Sequence, residues 1–128
     1  MRSSRRSNDK NRAIIAHSGH SKATVSPAER DILKAVLAYL AVHPKVAWAA
    51  RMNTGAIPVG NRLFRAGFVG CSDIIGQMRD GRFLAIEVKR EGKRLSDAQY
   101  TFLSRVTAND GVALVARSIS DCEIGLQE

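Results

Sequence analysis

Apolar residues recur at Ile32, Leu33, Val36, Leu37 and Leu40, forming one stripe along a helix of 3.6 residues per turn. The stripe follows Ser26-Pro27-Ala28-Glu29, which sets a capping serine, a proline at the first helical position and an acid three residues after the serine. It stops before His43-Pro44, because proline disfavours helical geometry in the residue that precedes it. The pattern then changes. Val46 and Trp48 lie in a short apolar run that predicts a first strand over 45–52. Asn53, Gly55, Pro58, Gly60, Gly67 and Gly70 punctuate what reads as one long loop, and ordered loops of that length are usually functional. Strands are predicted over 72–78 and 82–89, joined at Asp80-Gly81, where glycine tolerates the positive φ of a hairpin turn. Ser96-Asp97-Ala98-Gln99 repeats the capping pattern ahead of Tyr100, Phe102, Leu103 and Val106, so a second helix starts there. A fourth strand over 112–116 and a short helix over 119–126 complete the chain. The order α-β-β-β-α-β predicts an α/β domain, a mixed sheet flanked by helices, with no internal repeat.

Composition bounds what such a domain can do. The 128 residues are 45% hydrophobic, enough for one packed core. The formal charge of +8 and a pI near 10.2 favour phosphate-bearing partners. Five of those eight charges fall before Ser26, where six basic residues meet the single acid Asp9. The chain therefore divides into a flexible basic arm over 1–25 and a mildly basic folded domain over 26–128. No run approaches the roughly 20 apolar residues of a spanning helix, and the polar start lacks a signal-peptide stretch, so a cytoplasmic protein without a membrane partner is expected. Cys71 and Cys122 share no metal-ligand spacing and read as free thiols, while His17 and His20 fall in the arm without a scaffold to hold a metal.

The third strand carries the chemistry. Its period of two sends Leu84, Ile86 and Val88 to one face and Ala85, Glu87 and Lys89 to the other, so an acid and a base stand together opposite the core. Asp73 begins the partner strand, and the hairpin brings it near Glu87 and Lys89. Two carboxylates this close repel unless a cation separates them, and Mg²⁺, a hard ion that prefers oxygen, suits such a site. The lysine can then orient or deprotonate an attacking water or neutralise charge on a phosphate. The alternative is an ordinary ion pair on an exposed sheet, worth little.

Three stretches, Gly70-Cys71-Ser72-Asp73-Ile74-Ile75-Gly76, Gly81-Arg82-Phe83-Leu84-Ala85-Ile86-Glu87-Val88-Lys89 and Leu95-Ser96-Asp97-Ala98-Gln99 with Phe102-Leu103 following, together resemble the virus-type replication-repair nuclease (VRR-NUC) domain of the PD-(D/E)XK superfamily. The resemblance runs from about Glu29 to Arg117 and implies a restriction-endonuclease-like αβββαβ core. It implies Asp73 and Glu87 as metal-binding acids, the Val88 carbonyl as a main-chain ligand, Lys89 as the catalytic lysine, Gln99 as a catalytic support and Glu29 as a further metal-binding acid. Gln99 and Glu29 each stand three residues after a serine, so each also satisfies a capping role. Cys71 and Ser72 occupy the place where the superfamily name promises a proline. Arg51 and Asn53 resemble a segment seen in phage-type members and would touch substrate phosphate, the alternative being a solvated strand end, and Arg62, Arg65, Arg90, Lys93 and Arg94 would give a cleft a positive rim. The expected activity is Mg²⁺-dependent endonuclease hydrolysis, with Mn²⁺ as a substitute and no small-molecule cofactor. DNA is the expected substrate, branched or junction structures included, in replication, repair or phage DNA processing within a bacterial or phage-infected cell. A homodimer is expected, since cutting two strands symmetrically needs two sites. The acid pair is expected where the second and third strands meet the first helix. The rival readings are a non-catalytic nucleic-acid-binding module and an adaptor subunit that presents its basic arm to a larger complex.

Overall fold

The computed structural model describes residues 27–52, 56–65 and 69–127. The basic arm, His17, His20, Ser26 and Asn53 lie outside the described residues. Helix α1 (Pro27–Ala41) places Leu33, Val36 and Leu40 in the core, as the stripe requires. Its last turn tightens through bonds from the Val42 and His43 amides to the Tyr39 and Leu40 carbonyls, and β1 (Val46–Arg51) begins after Pro44.

The segment read as one long loop contains instead a hairpin, β2 (Ala56–Val59) with β3 (Arg62–Arg65). Val59 pairs with Arg62, so Gly60-Asn61 is a two-residue turn. Gly60 takes φ +61° at the first central position, the requirement of a type II′ turn, and Gly-Asn between two short runs is the signal that marked it. Pro58 and the surrounding glycines masked the pattern, and an isolated two-stranded ribbon tolerates proline because each of its strands has a free edge.

Strands β4 (Ile74–Met78) and β5 (Phe83–Val88) form the expected antiparallel hairpin. Its loop is Arg79-Asp80-Gly81, with Gly81 at φ +95° and Asp80 holding the Arg82 amide and guanidinium at 3.1 and 2.8 Å. Helix α2 (Asp97–Ala108), β6 (Val112–Ala116) and α3 (Ile119–Gly125) follow. The main sheet has the order β1-β4-β5-β6, antiparallel except for the parallel β5–β6 pair that the α2 crossover allows. This is the α/β architecture expected, an open mixed sheet with helices on both faces. Residues from α1, α3 and the sheet, Leu84, Ile86 and Val88 among them, make one core; Ala85, Ala113 and Val115 pack with Leu95 and Leu103 of the α2 side in another. The alternation read from β5 thus holds. No described helix is long and apolar enough to cross a membrane.

Candidate active site

Asp73 stands where β4 gives out, and its side chain takes over from the backbone. Oδ2 accepts the Val88 amide at 2.8 Å, while the Asp73 carbonyl accepts the Met52 amide at 2.7 Å. The aspartate is thereby fixed between β1 and β5 without being fully buried. In an extended strand the N–H and C=O of one residue point to the same side, so the Val88 carbonyl also faces the Asp73 side of β5. The next residue faces the other way, with the Lys89 amide donating to the Ala116 carbonyl at 3.0 Å.

Glu87 and Lys89 are only 2% and 1% exposed. That burial removes the reading of an exposed surface ion pair, because charges this far from water are costly unless their surroundings answer them. Gln99 answers part of the cost. Its Nε2 donates to Glu87 Oε1 at 3.1 Å, while its Oε1 accepts the Ser96 amide at 2.9 Å and its own amide donates to Ser96 Oγ at 3.2 Å. The glutamine therefore closes the capping box of α2 and bonds the acid with the same amide group. Among the described residues Glu87 Oε2 has no hydrogen-bond partner, although it is buried. Burial, and then the neighbouring Asp73 carboxylate, push the Glu87 carboxyl well above the usual carboxylate range; Lys89 opposes this only in part.

The loop before Asp73 is held against α2. Gly70 has φ +85°, and a Cβ there would run into the carbonyl of Ala98, in the first turn of the helix that carries Gln99. Ser72, fully buried, donates to the Ile74 carbonyl at 2.7 Å. Cys71 has no role in the reading from sequence. Its thiol is buried and pushed up, first by burial and then by the Glu87 and Asp73 carboxylates, which places it beside the pair. Both cysteines are free.

The remaining expected residues are distributed differently. The helix that reaches Glu87 is α2, not the first helix: the period of β5 turns Leu84, Ile86 and Val88 toward α1 and Glu87 away from it. Glu29 is buried in the first turn of α1 at 6% exposure, yet among the described residues no three His, Cys, Asp or Glu side chains form a group able to hold a metal ion. Arg51 is exposed at the end of β1, in register with Ile74. Arg62 is exposed on the β2–β3 hairpin, a place no strand period could foretell, and Arg65 is in β3. Arg90 and Arg94 are exposed and Lys93 is half-buried in the loop between β5 and α2, where the Lys93 amide donates to the Arg90 carbonyl and its own carbonyl accepts from Arg117.

A buried carboxyl with one oxygen unanswered, a second carboxyl half-buried beside it, a buried lysine and a fixed amide donor make an arrangement suited to a cation and a phosphate. No curated protein and no solved structure matches the chain. A model of the VRR-NUC domain matches residues 22–119, which takes in α1, the whole sheet, α2 and every residue of this site. With most of its length matched, and with the acid pair on adjacent strands of a restriction-endonuclease-like sheet, this chain belongs to the VRR-NUC domain family, a family of nuclease type.

Proposed function

We propose that the chain is a Mg²⁺-dependent endonuclease that hydrolyses DNA phosphodiester bonds at Asp73, Glu87 and Lys89, with Mn²⁺ able to substitute. The observation that carries this reading is the unpartnered, buried Glu87 Oε2 beside the Asp73 carboxylate. Mg²⁺ needs only one or two protein carboxylates, taking its other positions from waters and substrate phosphate, so the pair with the Val88 carbonyl is a sufficient donor set without a third acid. Bound there, the ion would lower the pKa of a water and polarise the phosphate.

The chain's own residues do the rest. Asp73 is immobilised by the Val88 amide, so a ligand at its other oxygen is positioned by the sheet itself. Glu87 is held by Gln99 at one oxygen and presents the other. Lys89, close enough to lower the Glu87 carboxyl, places a positive charge where it can orient the attacking water or balance charge developing on the phosphate. Arg51, Arg62, Arg90, Lys93 and Arg94 supply attraction for the backbone, which reads shape rather than base sequence. Cleavage of branched substrates follows if two copies pair and present two sites.

A non-catalytic binding module is favoured by one observation, the lack of a three-acid group among the described residues. Labelled branched, single-stranded and duplex DNA incubated with Mg²⁺, Mn²⁺ or EDTA separates the two. Metal-dependent cutting that Lys89→Ala abolishes supports the nuclease, and binding without cutting in either metal rejects it.

A further inference from the structure

Among the described residues, the α2 face of the sheet is only half covered. Helix α2 packs on β5 and β6, whereas Ala50 and Gln77 on the β1–β4 half are exposed and Trp48 is 47% exposed. Trp48 reaches this face by an irregularity. Val46 pairs with Met78, but the next pair is Trp48 with Gln77, so Ala47 is an extra residue and β1 bulges. Without the bulge, Ala47 would oppose Gln77 and Trp48 would oppose Gly76, on the face shared by buried Ile74 and Met78. A bulge that re-aims one side chain is a feature found beside functional sites. Gly76 makes room for it: a Cβ there would strike the Trp48 carbonyl. The turned-out indole is then pinned, Nε1 donating to Gln77 Oε1 at 3.1 Å.

This face runs into the acid pair. Trp48-Gln77-Phe83 form one row across β1, β4 and β5, Ala50-Ile75-Ala85 the next, and Asp73 and Glu87 lie beyond it. A strand rise of about 3.4 Å and an interstrand spacing of about 4.8 Å put Trp48 roughly 14 Å from Asp73, a few nucleotides of backbone. At the far end, two positions past Gln77, the Arg79 guanidinium is held by the carbonyl of Pro44, a neutral partner.

We propose that this half-open sheet face is a track for a single strand of the substrate, with Trp48 stacking on one of its bases and Arg79 drawing its backbone past the row. Duplex bases are already stacked on each other, so an aromatic platform of this kind selects unpaired DNA and directs the site to substrates with a single-stranded arm. The inference rests on the nuclease reading for its catalytic end but is testable apart from it, because Trp48 is the only tryptophan in the chain.

Its emission, recorded on the full-length protein in EDTA, should be quenched by a mixed-sequence single-stranded oligonucleotide, far less by a blunt duplex, and recover at high salt. In cleavage with Mg²⁺, Trp48→Ala should raise KM for an armed substrate roughly tenfold with kcat and the blunt-duplex KM unchanged, and Trp48→Phe should restore most of the loss. Absent quenching with intact cutting overturns the track and leaves the nuclease standing. Quenching by the oligonucleotide in a protein that cuts nothing does the reverse.

Discussion

Replacing Glu87 with glutamine should cost the protein its activity and increase its stability in the absence of metal. In Glu87→Gln the carbonyl keeps the bond from Gln99 Nε2, and the new amide replaces an oxygen that has no partner with a donor facing the Asp73 carboxylate. Hydrogen bonds to charged groups contribute about 1.5–3 kcal/mol, so a gain of that order is expected near pH 8. The pH dependence follows from the raised Glu87 carboxyl. The folded protein keeps that proton at pH values where an unfolded chain, titrating near about 4.3, has released it. Its stabilisation is complete below the unfolded value and is lost as pH rises through the folded one. The loss is at most about 1.4 kcal/mol per pH unit, or roughly 5–10 °C in melting temperature for a domain of this size. Melting curves between pH 5 and 8 in EDTA should therefore fall more steeply for the wild type than for Glu87→Gln, and Mg²⁺ should raise the wild type alone. A variant with the wild-type slope, and no more stable at pH 8, would falsify the account of Glu87 as an uncompensated buried carboxyl.

Gln99→Ala removes both the cap partner and the Glu87 donor. It should cost about 1–3 kcal/mol in denaturant unfolding and reduce Mg²⁺ affinity measured by calorimetry. Gly70→Ala, with its Cβ against Ala98, should lower cleavage while the far-ultraviolet spectrum keeps its helix content; unchanged cleavage would refute the fit of this loop to α2. Cys122 is buried and its thiol pushed up to about 12, so a thiol reagent at pH 8 should label it only after denaturant is added. Asp80→Ala should lower the melting point by no more than roughly 4–7 °C, since its pair with Arg82 is largely exposed and such pairs contribute about 0–1 kcal/mol.

The sequence made β5 and its chemistry legible because strict alternation separated Leu84, Ile86 and Val88 from Glu87 and Lys89 by face, and burial on both faces left no other register for them. The partner strand followed from the Asp80-Gly81 turn. The position of α2 over Glu87 was harder to read, since a capping box explains Gln99 completely without tertiary contact and only the sheet's layering reveals that its amide also reaches the acid. Trp48 shows the limit of periodicity. Val46 and Trp48 lie in one short apolar run with the same parity, but a single inserted residue reverses the second of them, and no spacing rule announces a bulge. The β2–β3 hairpin was hidden for a different reason: its strands are four residues each, too short for an alternation to stand out among glycines and a proline.

The bond from Ser96 to Gln99 has a consequence for handedness of polarity rather than for strength. An amide can rotate half a turn and exchange its oxygen for its nitrogen at almost no change in shape. Here the Ser96 N–H demands the oxygen, so only the nitrogen can point at Glu87. A helix terminus thus works as a keyed connector. Ser96→Pro, which deletes that N–H together with the Oγ that caps the Gln99 backbone amide, would free the side-chain amide to turn and set an oxygen against an oxygen, a local short circuit introduced without touching any group that meets the substrate.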